Sequence, residues 1–435
     1  MTLNKIALSA FFLIFRPYFT RSIIVIFVLG FAAGLPILMT LSTLTYWLSK
    51  FEVTKANIGL LALTGLPYTF KFLWAPFLDH FNIPLLSRLG RRRGWLILLQ
   101  SIIIAVFLSL SLLNPKDHIY LIAILIFTLS LASSSQDVII DAYRIDSLEA
   151  DQQAFGVSSY LMGYRLAMLI VGVGVLALSD FIDWAYIFIF LAGLMLFSLL
   201  FCLMLANQES NNKHDKEIKN ANKESLNIQA HFKQMILDPF KDFLKRNQAL
   251  LLIAFILVFK LPDVISGVMA TPFYTEMQFT GTQIGAVTKI YGVLATITGA
   301  VLGATLVKMI GLYRALWFSA ISLGLTNLSY LLIFYSPTIT SLAIAITVEN
   351  LVSGLASTAF ITFLSLLCNK QYSATQYALL SALTSAPLRF LAPAAGFLAD
   401  ILTWDNFFIF TSVLFIPALC LVIILKKNIQ ALKIY

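Results

Sequence analysis

The chain has 435 residues, of which 59% are hydrophobic and only 12% are charged, and its mean hydropathy is +0.88. A soluble protein of this length needs a more polar surface, so the composition excludes a soluble globular protein and predicts a membrane protein. The net charge of +9 does not indicate nucleic-acid binding, because the basic residues lie in short segments between apolar ones.

Twelve stretches are apolar and long enough to cross a bilayer, for which a helix needs about 20 residues. We name them spans 1 to 12 in chain order: 22–44, 57–78, 94–113, 119–141, 155–178, 185–206, 249–275, 283–307, 314–334, 339–368, 373–399 and 405–425. Helices are predicted because backbone polar groups inside lipid must be hydrogen-bonded within the protein. The predicted fold class is therefore an all-α membrane protein with twelve transmembrane helices.

The segment 207–248 is the one long hydrophilic stretch, and it is rich in Asn, Lys and Glu. Its first part is predicted to be a disordered or partly helical linker, and residues 228–244 an amphipathic helix on the inner membrane surface. The linker divides the chain into an N-terminal half, 1–206, and a C-terminal half, 249–435, with six spans each. Residues 7–15 are predicted to lie at the membrane interface and not to form a signal peptide.

The distribution of basic residues predicts the orientation. With the N-terminus inside, 22 of the 30 Lys and Arg residues fall in cytoplasmic segments, three fall in outside loops and five fall within spans. Cytoplasmic loops of membrane proteins carry the excess of positive charge, so both termini are predicted to be cytoplasmic.

Ionisable side chains within spans are costly in lipid and usually face a cavity or a partner. The five cations of this kind are Lys71, Arg165, Lys260, Lys289 and Arg389. Arg165 lies in the fifth span of the N-terminal half and Arg389 in the fifth span of the C-terminal half, so the two halves resemble each other weakly.

Lys260 and Asp263 lie three residues apart on span 7, so they share a helix face and can pair. This pair is either exchangeable, broken by a proton or by an anionic substrate, or a permanent structural pair. Pro262 between them predicts a break in the helix, and broken helices often line transport sites, which favours the functional interpretation.

Glu349 lies about ten residues into span 10, near the middle of the membrane. Burial of a lone carboxylate favours its protonated form, so Glu349 is a candidate for proton coupling or binding, with Asp263 as the second candidate. If Arg165 or Arg389 lies nearby, it holds Glu349 ionised in a fixed ion pair instead.

Asp137 and Asp141 lie four residues apart on one face of span 4, near its cytoplasmic end. This position is typical of a cytoplasmic gate, and it argues against a proton site in the middle of the membrane. The alternative is an ordinary solvated helix end. The basic residues that could pair with the two carboxylates when the inner side closes are Arg91, Arg92, Arg93 and Arg144.

The sequence gives no support for enzyme chemistry. The three cysteines lie in apolar stretches without metal-ligand spacing, and all four histidines lie in predicted loops. We therefore expect neither a metal site nor a cofactor. A membrane-embedded enzyme acting on lipid or cell-wall precursors and a non-transporting sensor are the alternatives from other classes.

Motifs in both halves carry a resemblance to a known family. They are GFAAGLP at 30–36, FKFLWAP at 70–76, GRRRGW at 90–95, SQD at 135–137, GYRL at 163–166, EN at 349–350, CNK at 368–370 and SATQYALLSAL at 373–383. Over nearly its whole length the chain resembles the AmpG family of muropeptide permeases within the major facilitator superfamily. One departure is that Asp79 and Arg91 lie twelve residues apart, whereas the superfamily places its basic residues a few positions after the aspartate.

The resemblance implies two six-helix halves and proton-driven import of anhydro-muropeptides across the bacterial inner membrane. The five cations within spans would bind substrate carboxylates, while Gln136 and Asn350 would bind sugar hydroxyls. Asp79, Arg91 and Arg92 would join Asp137, Asp141 and Arg144 in the gate. The expected partners are a small-molecule substrate, protons and lipid, with no nucleic acid, and we expect a monomer. Another anionic metabolite is the alternative cargo.

Overall fold

The computed structural model describes residues 15–40, 42–54, 57–58, 61–84, 86, 89–205 and 237–432. Every regular element within these residues is a helix, which confirms the predicted fold class. Ten helices among them are long and apolar enough to cross a membrane. Nearly all of the predicted interfacial segment 7–15 and most of the predicted linker lie outside the described residues.

Spans 1 to 6 occupy the first half of the chain, and several of them consist of more than one helical piece. Their helices are Arg21–Met39 and Ser42–Lys50 in and after span 1, Leu66–Phe70 and Ala75–His80 in span 2, Arg91–Leu110 in span 3, Ile119–Ser147 in span 4, Gln153–Leu169 and Val175–Leu178 in span 5, and Trp184–Leu205 in span 6. Short 3₁₀ helices cover Arg16–Phe19, Ala62–Gly65 and Lys71–Leu73, and a π-helical turn covers Ile170–Gly174.

The described part of the linker begins with a helix at 237–244, within the predicted amphipathic helix. The helices that follow are Ala249–Val258 and Leu261–Glu276 in span 7, Gly281–Gly285 and Gly292–Ile310 in span 8, Leu312–Thr326 and Tyr330–Tyr335 in span 9, Ile339–Leu367 in span 10, Ser373–Ile401 in span 11, Trp404–Val413 and Phe415–Ile424 in span 12, and Lys426–Ala431. A π-helical segment covers Ala286–Tyr291, and 3₁₀ helices cover Asn327–Ser329 and Lys370–Tyr372.

Prolines account for the two breaks that matter for the site. In span 2, Pro67 and Pro76 each lie in the first turn of a short helix, and in span 7 Pro262 opens the second piece after a break at 259–260. A proline tolerates the first turn because its missing N–H would have no helical partner there, whereas further inside a helix it removes a backbone hydrogen bond and its ring clashes with the preceding turn. The predicted break of span 7 at Pro262 is thereby confirmed.

The helices form two units. Unit 1 comprises Met1–Leu148, Ser159–Lys241 and Cys368–Ala378, and unit 2 comprises Glu149–Ser158, Asp242–Leu367 and Leu379–Tyr435. Each unit thus comes mostly from one half of the sequence. However, the first residues of span 11 belong to unit 1, and the first residues of span 5 belong to unit 2.

Glycines allow backbones to approach closely within each unit. In unit 1, a side chain at Gly163 of span 5 would collide with the backbone carbonyl of Phe27 on span 1. In unit 2, a side chain at Gly299 of span 8 would collide with the carbonyl of Leu351 on span 10, and one at Gly303 would collide with the carbonyl of Leu355. Small residues at such crossings favour helix association in lipid, where packing replaces the hydrophobic effect.

Candidate functional site

Asp79 lies at the centre of a buried polar cluster in unit 1. The last helix of span 2 places its carboxylate, which is 1% exposed, against the guanidinium of Arg92 at 2.7 Å. The same carboxylate accepts hydrogen bonds from the Thr375 hydroxyl at 2.6 Å and from the Thr375 backbone N–H at 2.7 Å. The Ala374 N–H adds a longer contact of 3.3 Å. Asp79 therefore binds span 2 to the first turn of span 11.

Arg92 extends this cluster to two more elements. Its guanidinium donates to the Ser373 hydroxyl at 2.9 Å and to Asp146 at the end of span 4 at 3.2 Å. Arg91 donates to the backbone carbonyl of Asp79. We call Asp79, Arg92, Asp146, Ser373 and Thr375 the Asp79 cluster. The structure thus brings together Asp79, Arg91 and Arg92, three of the residues predicted for the gate.

The charges around Asp79 determine its proton affinity. Burial acts to raise the pKa of its carboxyl, but the guanidinium groups of Arg92 and Arg91 and the hydrogen bond from Thr375 outweigh burial and hold that pKa below its usual value. Asp79 therefore stays ionised and paired at neutral pH.

The other three residues predicted for the gate form a second buried group in unit 1. Asp141 pairs with Arg144 at 3.2 Å, and both side chains are nearly inaccessible. The Arg144 guanidinium also lies over the Tyr377 ring, 5.3 Å from its centroid. Asp141 thus pairs with the last of its predicted partners. Asp137, one turn earlier, is buried, and its Oδ1 has no hydrogen-bond partner among the described residues.

Gln136 and two cations complete the polar side of unit 1. Gln136 is 0% exposed, and neither its amide oxygen nor its amide nitrogen has a hydrogen-bond partner in the described part of the chain. Buried polar groups are normally paired, so such an amide indicates a position where water or a ligand binds. Lys71 and Arg165 are half-buried, and neither forms an ion pair with another described residue.

Trp74 is a residue that the sequence reasoning did not single out, although it lies in the quoted motif at 70–76. Its indole N–H donates to the Ser135 hydroxyl at 3.0 Å, which joins the break in span 2 to span 4 just before Gln136. Thr375 was likewise missed within the motif at 373–383. In both cases the motif marked the segment, but the partner lies far away in the sequence.

In unit 2, the break in span 7 exposes two charged side chains to span 10. The Lys260 ammonium donates to the Ser357 hydroxyl at 2.9 Å, and the Ser353 hydroxyl makes a longer bond of 3.4 Å to the Asp263 carboxylate. Lys260 precedes the second helical piece and Asp263 lies in its first turn, where the helix dipole favours a negative charge. Both side chains are half-buried and face span 10.

Glu349 and Asn350 follow one another on span 10, but their surroundings differ. Glu349 is electrostatically coupled to Asp263 and lies within hydrogen-bonding reach of Tyr330. The Asn350 amide accepts from Thr296 at 3.0 Å and donates to the Ile346 carbonyl at 2.9 Å. Asn350 therefore connects spans 8 and 10, and its amide nitrogen has a second N–H for which the described residues show no acceptor.

The two remaining predicted cations are not part of these groups. Lys289 is exposed in the π-helical segment of span 8. The side chain of Arg389 lies outside the described part of the structure. Within the described residues, no group of three His, Cys, Asp or Glu side chains could hold a metal ion.

Comparison with known proteins gives the family. A model described as Major Facilitator Superfamily matches residues 23–388. An AmpG 4 protein of Rickettsia felis is 34% identical over 410 residues, covering 93% of this chain and 96% of the relative. The anhydromuropeptide permease of Escherichia coli K12 is 32% identical over 413 residues, covering 94% and 81%. The chain belongs to the AmpG family of the Major Facilitator Superfamily.

Solved structures agree with the fold of this AmpG-family member. The human organic anion transporter MFSD10 has a TM-score of 0.63 at 14% identity, over 92% of this chain and 99% of its own. The proton:xylose symporter XylE has a TM-score of 0.60 at 12% identity, over 94% and 95%. At these identities the likeness concerns the fold alone. The chain is a multi-pass membrane transporter with the twelve-helix major facilitator fold, and not an enzyme.

Proposed function

We propose that this protein imports anhydro-muropeptides from the periplasm into the cytoplasm, coupled to the inward movement of protons across the bacterial inner membrane. The observation that carries the proposal is the 32% identity to the E. coli anhydromuropeptide permease over 94% of this chain. A muropeptide joins a sugar to a peptide with carboxylates, so its transporter needs cations and hydrogen-bonding groups within the membrane.

The described residues supply such groups. Lys71 and Arg165 of unit 1 are half-buried cations without an ion pair in the described chain, and Gln136 offers an unpaired amide. A buried cation without a protein counterion is costly, and a substrate carboxylate would lower that cost. In unit 2, Lys260 and Asn350 contribute one ammonium and one amide. Lys289 and Arg389 remain candidates for the same role.

Proton coupling is assigned to Glu349 and Asp263. Both carboxyls are half-buried in unit 2 and lie close enough for their negative charges to repel each other. A proton on one of them would relieve this repulsion. Asp137 is a third candidate proton acceptor, in addition to the gate role predicted for it, because its buried Oδ1 has no hydrogen-bond partner within the described residues.

The gate is assigned to the Asp79 cluster together with Arg91, Asp137, Asp141 and Arg144. Asp79 and Arg92 hold the first turn of span 11 beside spans 2 and 4 within unit 1. For a substrate to leave on the cytoplasmic side, these hydrogen bonds must break and form again. In the transport cycle, alternating access follows from rocking of the halves 1–206 and 249–435, with both termini cytoplasmic. One chain supplies both halves, so the transporter acts as a monomer.

Uptake by reconstituted protein tests the proposal. Purified protein in lipid vesicles should accumulate labelled anhydro-muropeptide when the outside is made acidic, and a protonophore should abolish the accumulation. A labelled anionic metabolite without the sugar serves as the comparison. Uptake of that metabolite with none of the muropeptide would refute the assigned cargo, and muropeptide uptake indifferent to the proton gradient would refute the coupling.

A further inference from the structure

We propose that Trp74 is a positioning residue for the candidate substrate site, because its indole N–H holds the broken span 2 against Ser135 and thereby directs Lys71 towards Asp137. This inference rests on the proposed function, since it concerns how one of the proposed substrate-binding cations is placed. Every contact that carries it lies within unit 1.

The break in span 2 creates the need for an anchor. The 3₁₀ helix Lys71–Leu73 ends at Trp74, and the next helix, Ala75–His80, has Pro76 in its first turn. Because a proline lacks the N–H and its ring clashes with the carbonyl four residues earlier, Pro76 disfavours a continuous α-helix, and the helix is interrupted at this point. The α-helical hydrogen-bond pattern is interrupted here, although the Phe77 N–H still bonds to the Trp74 carbonyl at 3.0 Å, so side-chain contacts help to fix the direction in which residues 71–74 face.

The hydrogen bond between Trp74 and Ser135 supplies the anchor, and only one of the two side chains can be the donor. The Ser135 hydroxyl donates its only proton to the Leu131 carbonyl at 2.7 Å, so towards Trp74 it can act only as an acceptor. The Trp74 indole has only a donor to offer, at 3.0 Å. Neither side chain can exchange roles, so the contact specifies a single arrangement of the two spans.

The anchor shares a face with Lys71. The backbone N–H of Trp74 bonds to the Lys71 carbonyl, and side chains three apart are eclipsed in a 3₁₀ helix. On span 4, the residues after Ser135 are Gln136 and Asp137. The Lys71 ammonium is close enough to act on the charges of Asp137 and Asp141. Fixing Trp74 on Ser135 therefore fixes the side of span 2 that presents Lys71 to span 4.

Two variants remove the same bond in different ways. Trp74→Phe removes the donor and keeps an aromatic ring, and Ser135→Ala removes the acceptor. Because each also leaves Lys71 misdirected, we expect each to raise the KM for anhydro-muropeptide about tenfold with a smaller change in kcat. The double variant should be no worse than either single one, and neither should add to Lys71→Met. Trp95→Phe is the matched control, because the Trp95 indole donates to the Phe81 carbonyl at 2.8 Å away from the site.

A second readout needs no substrate. The infrared band of the protonated Asp137 carboxyl, identified by its loss in Asp137→Asn, is followed against pH. The titratable groups coupled to Asp137 are Tyr68 and Lys71 of span 2, Asp141 of span 4, and Tyr160 and Tyr164 of span 5. Because each variant changes the position or the presence of the Lys71 charge, Trp74→Phe, Ser135→Ala and Lys71→Met should all change the pH at which the band appears by about one unit and in the same sense.

The two readouts separate the two proposals. A wild-type protein that takes up no anhydro-muropeptide refutes the proposed function, while the infrared titration still decides the role of Trp74. If Lys71→Met moves the band and both Trp74→Phe and Ser135→Ala leave it at the wild-type pH, Trp74 does not position Lys71. Additive effects of Trp74→Phe and Lys71→Met on KM would overturn the inference in the same way.

Discussion

At the scale of single residues, the buried Asp79 carboxylate joins Arg92 to the first turn of span 11, so its removal should be costly. Its side chain and that of Arg92 are 0% and 1% exposed, so Asp79→Asn leaves a buried guanidinium without its main counterion. Breaking a buried pair in this way costs about 3–5 kcal/mol. We expect a lower thermal unfolding midpoint in detergent. The exposed Asp180→Asn variant, which removes only the surface pair with Lys50, should unfold like the wild type.

The same residue predicts an acid dependence of stability. The pKa of Asp79 is lower in the folded than in the unfolded protein. Its contribution to the free energy of unfolding is therefore fully present above the unfolded pKa of about 4, and it is lost as the pH falls through the folded pKa. The unfolding midpoint of the wild type should therefore drop on acidification below about pH 4 by more than that of Asp79→Asn. Equal drops in the two proteins would contradict the role assigned to this carboxylate.

Glu349 allows a test of proton coupling at the level of one atom group. Glu349→Gln keeps the shape but cannot exchange a proton, so we expect accumulation driven by a proton gradient to fall at least about tenfold while exchange of internal for external substrate persists. Glu276→Gln, an exposed carboxyl at the end of span 7, is the control. Loss of exchange together with accumulation would indicate that Glu349 binds substrate or supports the fold, and not that it carries the proton.

At the scale of helices, hydropathy predicted where the chain crosses the membrane, because burial in lipid depends on local composition alone. Ten of the twelve predicted spans appear as long apolar helices. Span 2 does not, since its prolines divide it into short pieces, and span 11 is one helix rich in alanine, serine and threonine. The π-helical segments of spans 5 and 8 had no signal in the sequence. Pro387 and Pro393 lie inside the helix of span 11 without ending it, so a proline alone does not predict a break.

The candidate site was predictable as a set of residue types but not as a set of pairs. Charges within spans indicated Lys260, Asp263 and Glu349, and the structure places all three in unit 2. In contrast, Asp79 meets Thr375 across 296 residues, and no periodicity in the sequence encodes a contact of that kind. Polar partners such as Ser353, Ser357 and Tyr330 were missed because serines and tyrosines within spans are common and have no charge to mark them.

Helix crossings yield a prediction that separates packing from helix propensity. Gly299→Ala should destabilise the protein, because the new methyl group would collide with the backbone of Leu351 and force spans 8 and 10 apart. Gly267→Ala is the matched control on span 7, where an added Cβ meets nothing within 4 Å. There alanine should be neutral or stabilising by up to about 1 kcal/mol through its higher helix propensity. Thermal unfolding in the same detergent compares the two, and a tolerated Gly299→Ala would show that the crossing can relax.

At the scale of the whole molecule, the orientation that the basic residues predict determines which step of import the proposed gate controls. The proposed orientation puts the loop after span 3 in the periplasm and the loop after span 8 in the cytoplasm. If the orientation were reversed, the Asp79 cluster would lie on the periplasmic side, and the gate assigned to it would control entry of the substrate and not its release. A measurement of topology therefore tests the proposed mechanism as well as the number of spans.

Single cysteines give that measurement. In a background without Cys202, Cys368 and Cys420, Asp117→Cys in the loop after span 3 should react with a membrane-impermeant maleimide in intact spheroplasts. Lys427→Cys, exposed beyond span 12, should react only after the membrane is opened. Positive charge on the cytoplasmic side is the physical reason for this expectation. Reaction of both residues from outside would mean an even number of crossings between them, and the reverse pattern would place the Asp79 cluster at the periplasmic entrance.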